Sequence, residues 1–117
     1  MSARAALALA LGAALAFAAA SCGSARRGEP IAGPLVLRSE SEVRGQKVFY
    51  TFCNKCHPGG DGGLGPALNN KPLPTFLKKY QVRHGLGAMP SFSEDVISDQ
   101  ELDDLMHFLS ALRERGD

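Results

Sequence analysis

The sequence predicts a small all-α domain, and three observations lead to that prediction. Apolar residues recur at helical spacing in two stretches, around residues 41–52 and again around 102–112. No stretch alternates apolar and polar residues as a strand would, and nothing repeats at a fixed period. The chain between the two helical stretches is rich in glycine and proline. We expect such long loops to be stable only if they wrap around something.

The first helical stretch begins near Ser39 or Ser41, because serine is a favourable N-cap residue. Gly45 lies inside this helix, where glycine costs about 1 kcal/mol relative to alanine. A glycine at such a position is tolerated where another helix must approach closely, so Gly45 predicts a crossing partner. The apolar positions of this helix are Val43, Val48, Phe49 and Phe52.

The partner is the second helical stretch, which opens with a capping box at Ser98–Glu101. Arg113 and Arg115 close its last turn with the sign that the helix dipole favours. A third, shorter helix is predicted from Thr75 to Arg83. The C-terminal helix places these apolar residues on one face: Leu102, Leu105, Met106, Leu109 and Leu112.

Residues 1–21 have the layout of a signal peptide, because Arg4 precedes an apolar or small run from Ala5 to Ala20. A transmembrane helix would need ~20 strongly apolar residues, more than this run supplies. The sequence allows cleavage at either of two sites, after Ala20 or directly before Cys22. The second site resembles a bacterial lipoprotein signal, although Ala19 stands where a larger aliphatic residue is usual. We expect a lipid at Cys22, because an exported unpaired thiol is otherwise unfavourable.

The 117 residues leave room for one domain after the signal. Residues 22–38 lack any helical or strand period and are predicted to be a flexible linker or tether, which places the domain at residues 39–117. The chain has no Trp, six Phe and two Tyr. Its core is therefore small, and a bound cofactor would help to stabilise it.

The chemistry is concentrated in Cys53-Asn54-Lys55-Cys56-His57, a C-x-x-C-H sequence. In an exported protein this is the attachment signature of c-type haem. Thiols at i and i+3 lie on one face of a helical turn, where they can add to the two vinyl groups of one porphyrin. His57 directly follows Cys56 and can point its imidazole at the iron. One motif predicts one haem.

Three other interpretations of the motif explain the sequence less well. A disulfide between Cys53 and Cys56, as in redox-active C-x-x-C proteins, normally occurs in a βαβ setting that this sequence lacks. A zinc site would have to recruit His84 or His107, and no second closely spaced ligand pair completes the usual pattern. An ordinary loop histidine would leave the adjacency of His57 to Cys56 unexplained.

Together with this motif, the segment from Ser41 to Leu112 resembles the class I c-type cytochromes. Gly45 and Phe49 resemble the glycine and aromatic residue of the family's N-terminal helix, and Phe108-Leu109 resembles the pair on the C-terminal helix that crosses it. The resemblance implies the cytochrome c fold. Three to four short helices and long loops would wrap round one covalently bound haem, with the terminal helices crossing.

The resemblance also implies site residues. Gly65-Pro66-Ala67-Leu68 resembles the segment in which a proline carbonyl accepts a hydrogen bond from the ligand histidine, so Pro66 would orient His57. The segment from Gly85 to Phe92 resembles the loop that carries an axial methionine, here Met89. Pro58 departs from the family, which very often has glycine after the histidine.

Other residues could compete with Met89 for the iron. Met89 lies between glycine-rich chain and proline, outside any amphipathic face, whereas Met106 falls on the apolar stripe of the C-terminal helix and is predicted to be core. His107 lies off that stripe and is predicted to be on the surface. His84, five residues before Met89, is the realistic rival.

Iron with one imidazole and one thioether has no open site, so the resemblance implies electron transfer and not catalysis. We expect a periplasm-facing one-electron carrier, lipid-anchored at Cys22 to a bacterial membrane, with redox proteins as partners and no nucleic-acid binding. The alternatives are a haem subunit of a larger dehydrogenase or oxidase complex, and a haem enzyme or gas sensor with His57 alone on the iron.

Charge is segregated along the chain. Residues 44–83 contain seven Lys or Arg and one acid, while residues 94–104 contain six acids and no base. Partner docking is therefore predicted to use the basic middle of the chain and not the acidic C-terminal helix. The predicted docking residues are Lys55, Lys71, Lys78, Lys79 and Arg83.

Overall fold

Helices dominate the computed structural model, which describes residues 3–21, 34–69 and 73–114. Within these ranges there are no strands, only an isolated antiparallel bridge between Leu86 and Met89. The predicted all-α fold class is confirmed. The α-helices are α1 (Ala3–Ser21), α2 (Glu40–Phe52), α3 (Thr75–His84) and α4 (Asp99–Glu114), and one 3₁₀ turn spans Pro58–Gly60.

Helix α1 covers most of the predicted signal peptide. None of the helices in the described residues is both long enough and apolar enough to cross a membrane. Cys22 lies outside the described residues, as does the rest of the predicted linker up to residue 33. Lipidation of Cys22 therefore stays a prediction.

Both helices of the crossing pair begin with a reciprocal capping box. Ser39 caps α2, since its hydroxyl accepts from the Glu42 amide at 3.2 Å and the Glu42 carboxylate accepts from the Ser39 amide at 3.2 Å. Ser98 and Glu101 exchange the same two bonds at 3.2 and 2.8 Å before α4. Each pair satisfies two amide donors that a helix N-terminus would otherwise leave unpaired, which fixes where the helix starts.

The crossing of α2 and α4 depends on Gly45, as predicted. A Cβ atom at Gly45 would lie 1.9 Å from the carbonyl oxygen of Asp104, so only glycine allows the two backbones to approach this closely. Next to this point the rings of Phe49 and Phe108 pack with centroids 5.2 Å apart. The buried core comprises Val48, Phe49, Val82, Ile97, Leu102, Leu105, Met106, Phe108, Leu109 and Leu112.

An ion pair between half-exposed Arg44 and buried Asp104 stabilises the same crossing. The Arg44 guanidinium donates from Nε to one carboxylate oxygen of Asp104 at 2.7 Å and from NH2 to the other at 3.1 Å. Asp104 is only 1 % exposed. The hydrogen bonds from Arg44 lower the pKa of Asp104 against the opposing effect of burial. In the sequence Asp104 is one of six clustered acids, and nothing distinguishes it from the exposed ones.

The packed part of the chain begins slightly before the predicted domain boundary at residue 39. Leu35 and Leu37 are partly buried against the core, and Arg38 forms an ion pair with Glu114 at 3.2 Å. Alternate apolar residues let this extended segment bury one side against the helices. Residues 34–38, expected to belong to the linker, therefore contact the domain.

Candidate haem-binding site

The C-x-x-C-H motif forms a tight turn directly after α2. The amide of Cys53 donates to the carbonyl of Phe49 at 2.8 Å, and the amides of Cys56 and His57 donate to the carbonyl of Cys53 at 3.1 and 2.9 Å. Both cysteines are half-buried, and neither forms a disulfide. The end of α2 thus holds two thiols and an imidazole in one turn of chain.

The acidity of Cys53 bears on the redox-active alternative. Burial, with a smaller contribution from the neighbouring Cys56, raises the pKa of the Cys53 thiol to about 11. Redox-active C-x-x-C motifs activate a cysteine by lowering its pKa, because the thiolate is the nucleophile. This site does the opposite, so its geometry does not favour thiol–disulfide exchange.

His57 is buried and held by one hydrogen bond. Its Nδ1 lies 2.8 Å from the carbonyl oxygen of Pro66, the contact that the resemblance implied. A carbonyl can only accept, so Nδ1 carries a hydrogen, and in the neutral imidazole Nε2 then has the free lone pair. Among the described residues no hydrogen bond reaches Nε2. The imidazole is therefore in the tautomer, and in the fixed orientation, that a metal ligand needs.

Gly65 shapes the other side of the imidazole. A Cβ atom at Gly65 would lie 2.2 Å from Cε1 of His57, so any other residue would displace the ring. The Gly65 amide donates to the carbonyl of Cys56 at 2.9 Å, which fastens this loop to the motif. The sequence pointed to Gly65 only as the neighbour of Pro66. Its contact with His57 was not predicted, because local sequence patterns do not show it.

Met89 lies on a separate, tightly folded loop. The backbones of Leu86 and Met89 exchange two hydrogen bonds, at 2.9 and 3.1 Å. Gly85, with φ +70°, precedes this turn, and a Cβ there would lie 2.5 Å from the Met89 carbonyl oxygen. The Met89 side chain is partly buried against the core, with its sulfur 3.9 Å from Nε2 of Gln81.

An aromatic contact connects this loop to the attachment motif. Phe52, the residue before Cys53, packs its ring against Phe92, three residues after Met89, with centroids 5.8 Å apart. The amide of Phe92 also donates to the carbonyl of Val82 in α3 at 2.9 Å. The end of α2, the end of α3 and the Met89 loop therefore meet at Phe92.

The competing ligands lie elsewhere. Met106 is buried in the core and His107 is exposed, both as predicted. His84 is exposed, its Nδ1 donates to the carbonyl of Tyr80 at 2.9 Å, and its ring stacks on Tyr80 at 4.0 Å. Within the described ranges no three His, Cys, Asp or Glu side chains come together to hold a metal ion, so nothing there supports the zinc alternative.

The middle of the chain presents apolar side chains that the protein does not cover. Three of them are more than 70 % exposed: Leu64 at 83 %, Phe76 at 72 % and Leu86 at 74 %. Leu73, Leu77 and Tyr80 are exposed as well. Apolar side chains that the protein leaves exposed are available to contact a bound group. A flat apolar porphyrin needs such partners, so the exposed residues and the available ligands both fit a haem.

The segregation of charge along the sequence is not maintained in space. Lys79 pairs with Asp103, and Arg83 pairs with Asp99 at 2.7 Å, because α3 packs against α4. Burial and nearby Arg113 lower the pKa of Lys78. Of the predicted docking residues, Lys55 and Lys78 form no ion pair among the described residues, and Lys71 lies outside them. Lys79 and Arg83 are paired with acids of α4, the helix that the docking prediction excluded.

Comparison with known proteins agrees with this geometry. The family model described as cytochrome c oxidase, cbb3-type, subunit III matches residues 40–109, which include the attachment motif and Met89. The chain belongs to the cytochrome c family. Its members carry covalently bound haem c with iron. The family match indicates an electron-transfer protein and not an enzyme.

Individual relatives span several kinds of cytochrome. The cytochrome c subunit of 4-cresol dehydrogenase [hydroxylating] from Pseudomonas putida is 34 % identical over 68 residues, which are 58 % of this chain and 59 % of that protein. Cytochrome c6 from Gloeothece citriformis is 35 % identical over 80 residues, 62 % of this chain and 72 % of that protein. Cytochrome c6 from Pyropia tenera is 30 % identical over 80 residues, 62 % of this chain and 93 % of its own length. No solved structure matches the chain.

Proposed function

We propose that the haem is attached through Cys53 and Cys56 and that its iron is held by His57 and Met89. The observation that carries this proposal is the 2.8 Å contact between Nδ1 of His57 and the carbonyl of Pro66, which leaves Nε2 for the iron. His57 lies in the turn that also contains both thiols, those of Cys53 and Cys56. Met89 supports the proposal because its loop is joined through Phe92 to the end of α2.

Bound haem would supply a reversible one-electron couple at its iron. The work of the chain is then to hold the two ligands in nearly the same place in both oxidation states. Pro66 and Gly65 fix the orientation of His57, and the Leu86–Met89 turn limits the movement of the thioether. A soft thioether stabilises Fe(II), and burial adds to this effect, so we propose a comparatively high reduction potential.

The same assignment is tested by replacing Met89. Met89→Ala should keep the covalent haem, lower the reduction potential and bind carbon monoxide, because the sixth position would be open while the other three residues remain. Intact mass, potentiometric titration and the spectrum with the gas measure these changes. Met106→Leu is the control, because Met106 is in the core, and it should leave all three unchanged. If Met89→Ala keeps the parent spectrum and excludes the gas, His84 is the ligand.

We further propose that the carrier acts on the periplasmic side of a bacterial membrane, anchored by a lipid on Cys22 and exchanging electrons with redox proteins. Cys22→Ser should move the protein from the membrane to the soluble fraction, with the haem spectrum unchanged as the control. A native protein that begins at Ser21 without lipid would contradict the anchor.

A second candidate is a haem subunit of a larger dehydrogenase complex. The similarity to the cytochrome subunit of 4-cresol dehydrogenase favours it. Purification from native membranes separates the two roles. A stoichiometric catalytic subunit that survives salt washing would identify the subunit role, whereas release as a single small cytochrome would identify the independent carrier.

A further inference from the structure

Arg83 connects three parts of the molecule with one side chain. Its NH1 donates to the carbonyl of Phe92 at 3.1 Å and to the carbonyl of Ile97 at 2.6 Å. Its NH2 donates to the carboxylate of Asp99 at 2.7 Å. The last turn of α3 is thus fastened both to the chain that returns from Met89 and to the first residue of α4.

The position of these acceptors gives the contact its meaning. Both carbonyls belong to the chain from Pro90 to Ile97, here called the return limb of the Met89 loop. The amide of Phe92 also donates to the carbonyl of Val82, the neighbour of Arg83. The limb is therefore pinned to α3 at both its N–H and C=O groups. The Met89 side chain sits just before this pinned point, so motion of the limb would move the thioether.

Burial separates the loop contacts from the ion pair. The Arg83 side chain is 19 % exposed, whereas that of Asp99 is 77 % exposed. An ion pair with so exposed a carboxylate contributes little to stability. The contacts with the two carbonyls matter more for stability. Ile97 is fully buried, so without Arg83 its carbonyl oxygen would lose a charged hydrogen-bond donor. The guanidinium reaches these acceptors from two separate nitrogens, NH1 for the two carbonyls and NH2 for Asp99. Lysine carries its three N–H donors on a single nitrogen and would not reproduce this geometry.

We propose that Arg83 is a positioning residue that keeps Met89 on the haem iron by clamping the return limb of its loop. This inference rests on the proposed ligation by Met89. Loss of two charge-assisted hydrogen bonds should raise the fraction of protein with the thioether detached by roughly ten- to a hundredfold. The change should appear at the iron even where the fold is retained.

The test compares Arg83→Met with two controls in the holoprotein. Asp99→Asn removes the ion pair but leaves both carbonyl contacts, and Lys79→Met removes a neighbouring α3–α4 ion pair without touching the loop. The readouts are the association rate of carbon monoxide with ferrous protein and the sulfur-to-iron charge-transfer band of ferric protein. Arg83→Met should weaken the band and accelerate carbon monoxide binding, and both controls should resemble the parent.

Three results would overturn the proposal. One is an Arg83→Met variant that keeps the parent band and rate, even if it unfolds at a lower temperature. Another is an Asp99→Asn variant that reproduces the full effect, since the ion pair alone would then be responsible. The third is an Arg83→Lys variant at the parent rate, should Arg83→Met fail to fold. A rate at least about twofold faster in Arg83→Lys, as expected for loss of one hydrogen bond, supports the clamp.

Failure of the proposed ligation is recognised separately. A parent protein that lacks the charge-transfer band and binds carbon monoxide readily contradicts Met89 as ligand before any Arg83 variant is made. A parent protein with the band, combined with an unaffected Arg83→Met variant, contradicts the clamp alone.

Discussion

The crossing of α2 and α4 is stabilised differently from the middle segment, which comprises the described residues 57–69 and 73–97. At the crossing, the chain fills the space with its own side chains, and Phe49 and Phe108 are almost fully buried. In the middle segment, Leu64, Phe76 and Leu86 remain mostly exposed. The comparison teaches that the polypeptide fills the crossing with its own side chains but leaves apolar residues of the middle segment uncovered, and we expect the haem to cover them.

Their polar contacts differ as well. The crossing uses a side-chain ion pair between two regular helices, in which Arg44 is half-exposed and Asp104 is buried. The middle segment uses side chains to hold irregular backbone. The His57 imidazole contacts the carbonyl of Pro66 at one end, and the Arg83 guanidinium contacts the carbonyl of Phe92 at the other. Backbone without helical hydrogen bonds must find other partners when it is buried.

The largest expected effect comes from removing the haem. Cys53→Ala combined with Cys56→Ala should give a protein without covalent haem that loses its cooperative thermal transition, because the apolar residues of the middle segment would have nothing to pack against. Intact mass, far-UV circular dichroism and thermal melts measure this. Cys22→Ser, outside the attachment motif, should melt like the parent. Native-like cooperative melting of the haem-free variant would contradict the difference between the two regions.

A smaller effect is expected from crowding the crossing. Gly45→Ala places a Cβ 1.9 Å from a backbone oxygen of α4, so the helices must separate, at a cost of about 3 kcal/mol in the free energy of unfolding. Gly87→Ala is the matched control in the middle segment. It has open space and suffers only from its φ of +57°, at a cost of about 1 kcal/mol. Denaturant titrations of both holoproteins decide, and a Gly45→Ala variant as stable as the parent would refute the close crossing.

The smallest effect concerns Asp104. Asp104→Asn should lower the free energy of unfolding by roughly 1–3 kcal/mol near neutral pH, because the hydrogen bonds from half-exposed Arg44 lose their buried, charged acceptor. Asp103→Asn, the neighbouring position with an exposed ion pair to Lys79, should cost less than about 1 kcal/mol.

The pH dependence of this difference follows from the lowered pKa of Asp104. A carboxylate with a lowered pKa in the folded state stabilises the protein above its unfolded pKa, about 3.9, and the stabilisation disappears as the pH falls through the folded value. The parent and Asp104→Asn should therefore begin to converge in stability as the pH falls below about 4, and the difference should vanish only below the lowered pKa of folded Asp104. Equal effects of the two substitutions at neutral pH would mean that Asp104 is no more buried than Asp103.

Local signals in the sequence predicted much of this architecture. Ser39 was one of the two predicted caps of α2, the capping box at Ser98 was predicted for α4, and Gly45 predicted the crossing. The caps are visible in the sequence because they depend on residues within one turn. The motif and the resemblance likewise directed attention to the His57–Pro66 contact.

Contacts between distant segments were not predictable in this way. The burial of Asp104 depends on Arg44, sixty positions earlier in the chain, and the acidic residues of α4 all look alike by composition. The pairing of Lys79 and Arg83 with α4 depends on how α3 packs, which periodicity does not specify. Charge blocks along a sequence therefore do not specify which charges pair in space.

The meeting of segments at Phe92 has a consequence for the speed of electron transfer. Under the proposed ligation, the haem is bonded covalently just after Phe52 and coordinated just before Phe92, and these two rings are in contact. Densely packed segments move together, so the cofactor and its sixth ligand would share one rigid frame. A change of oxidation state would then displace few atoms. The reorganisation energy would be small, and self-exchange between two molecules correspondingly fast.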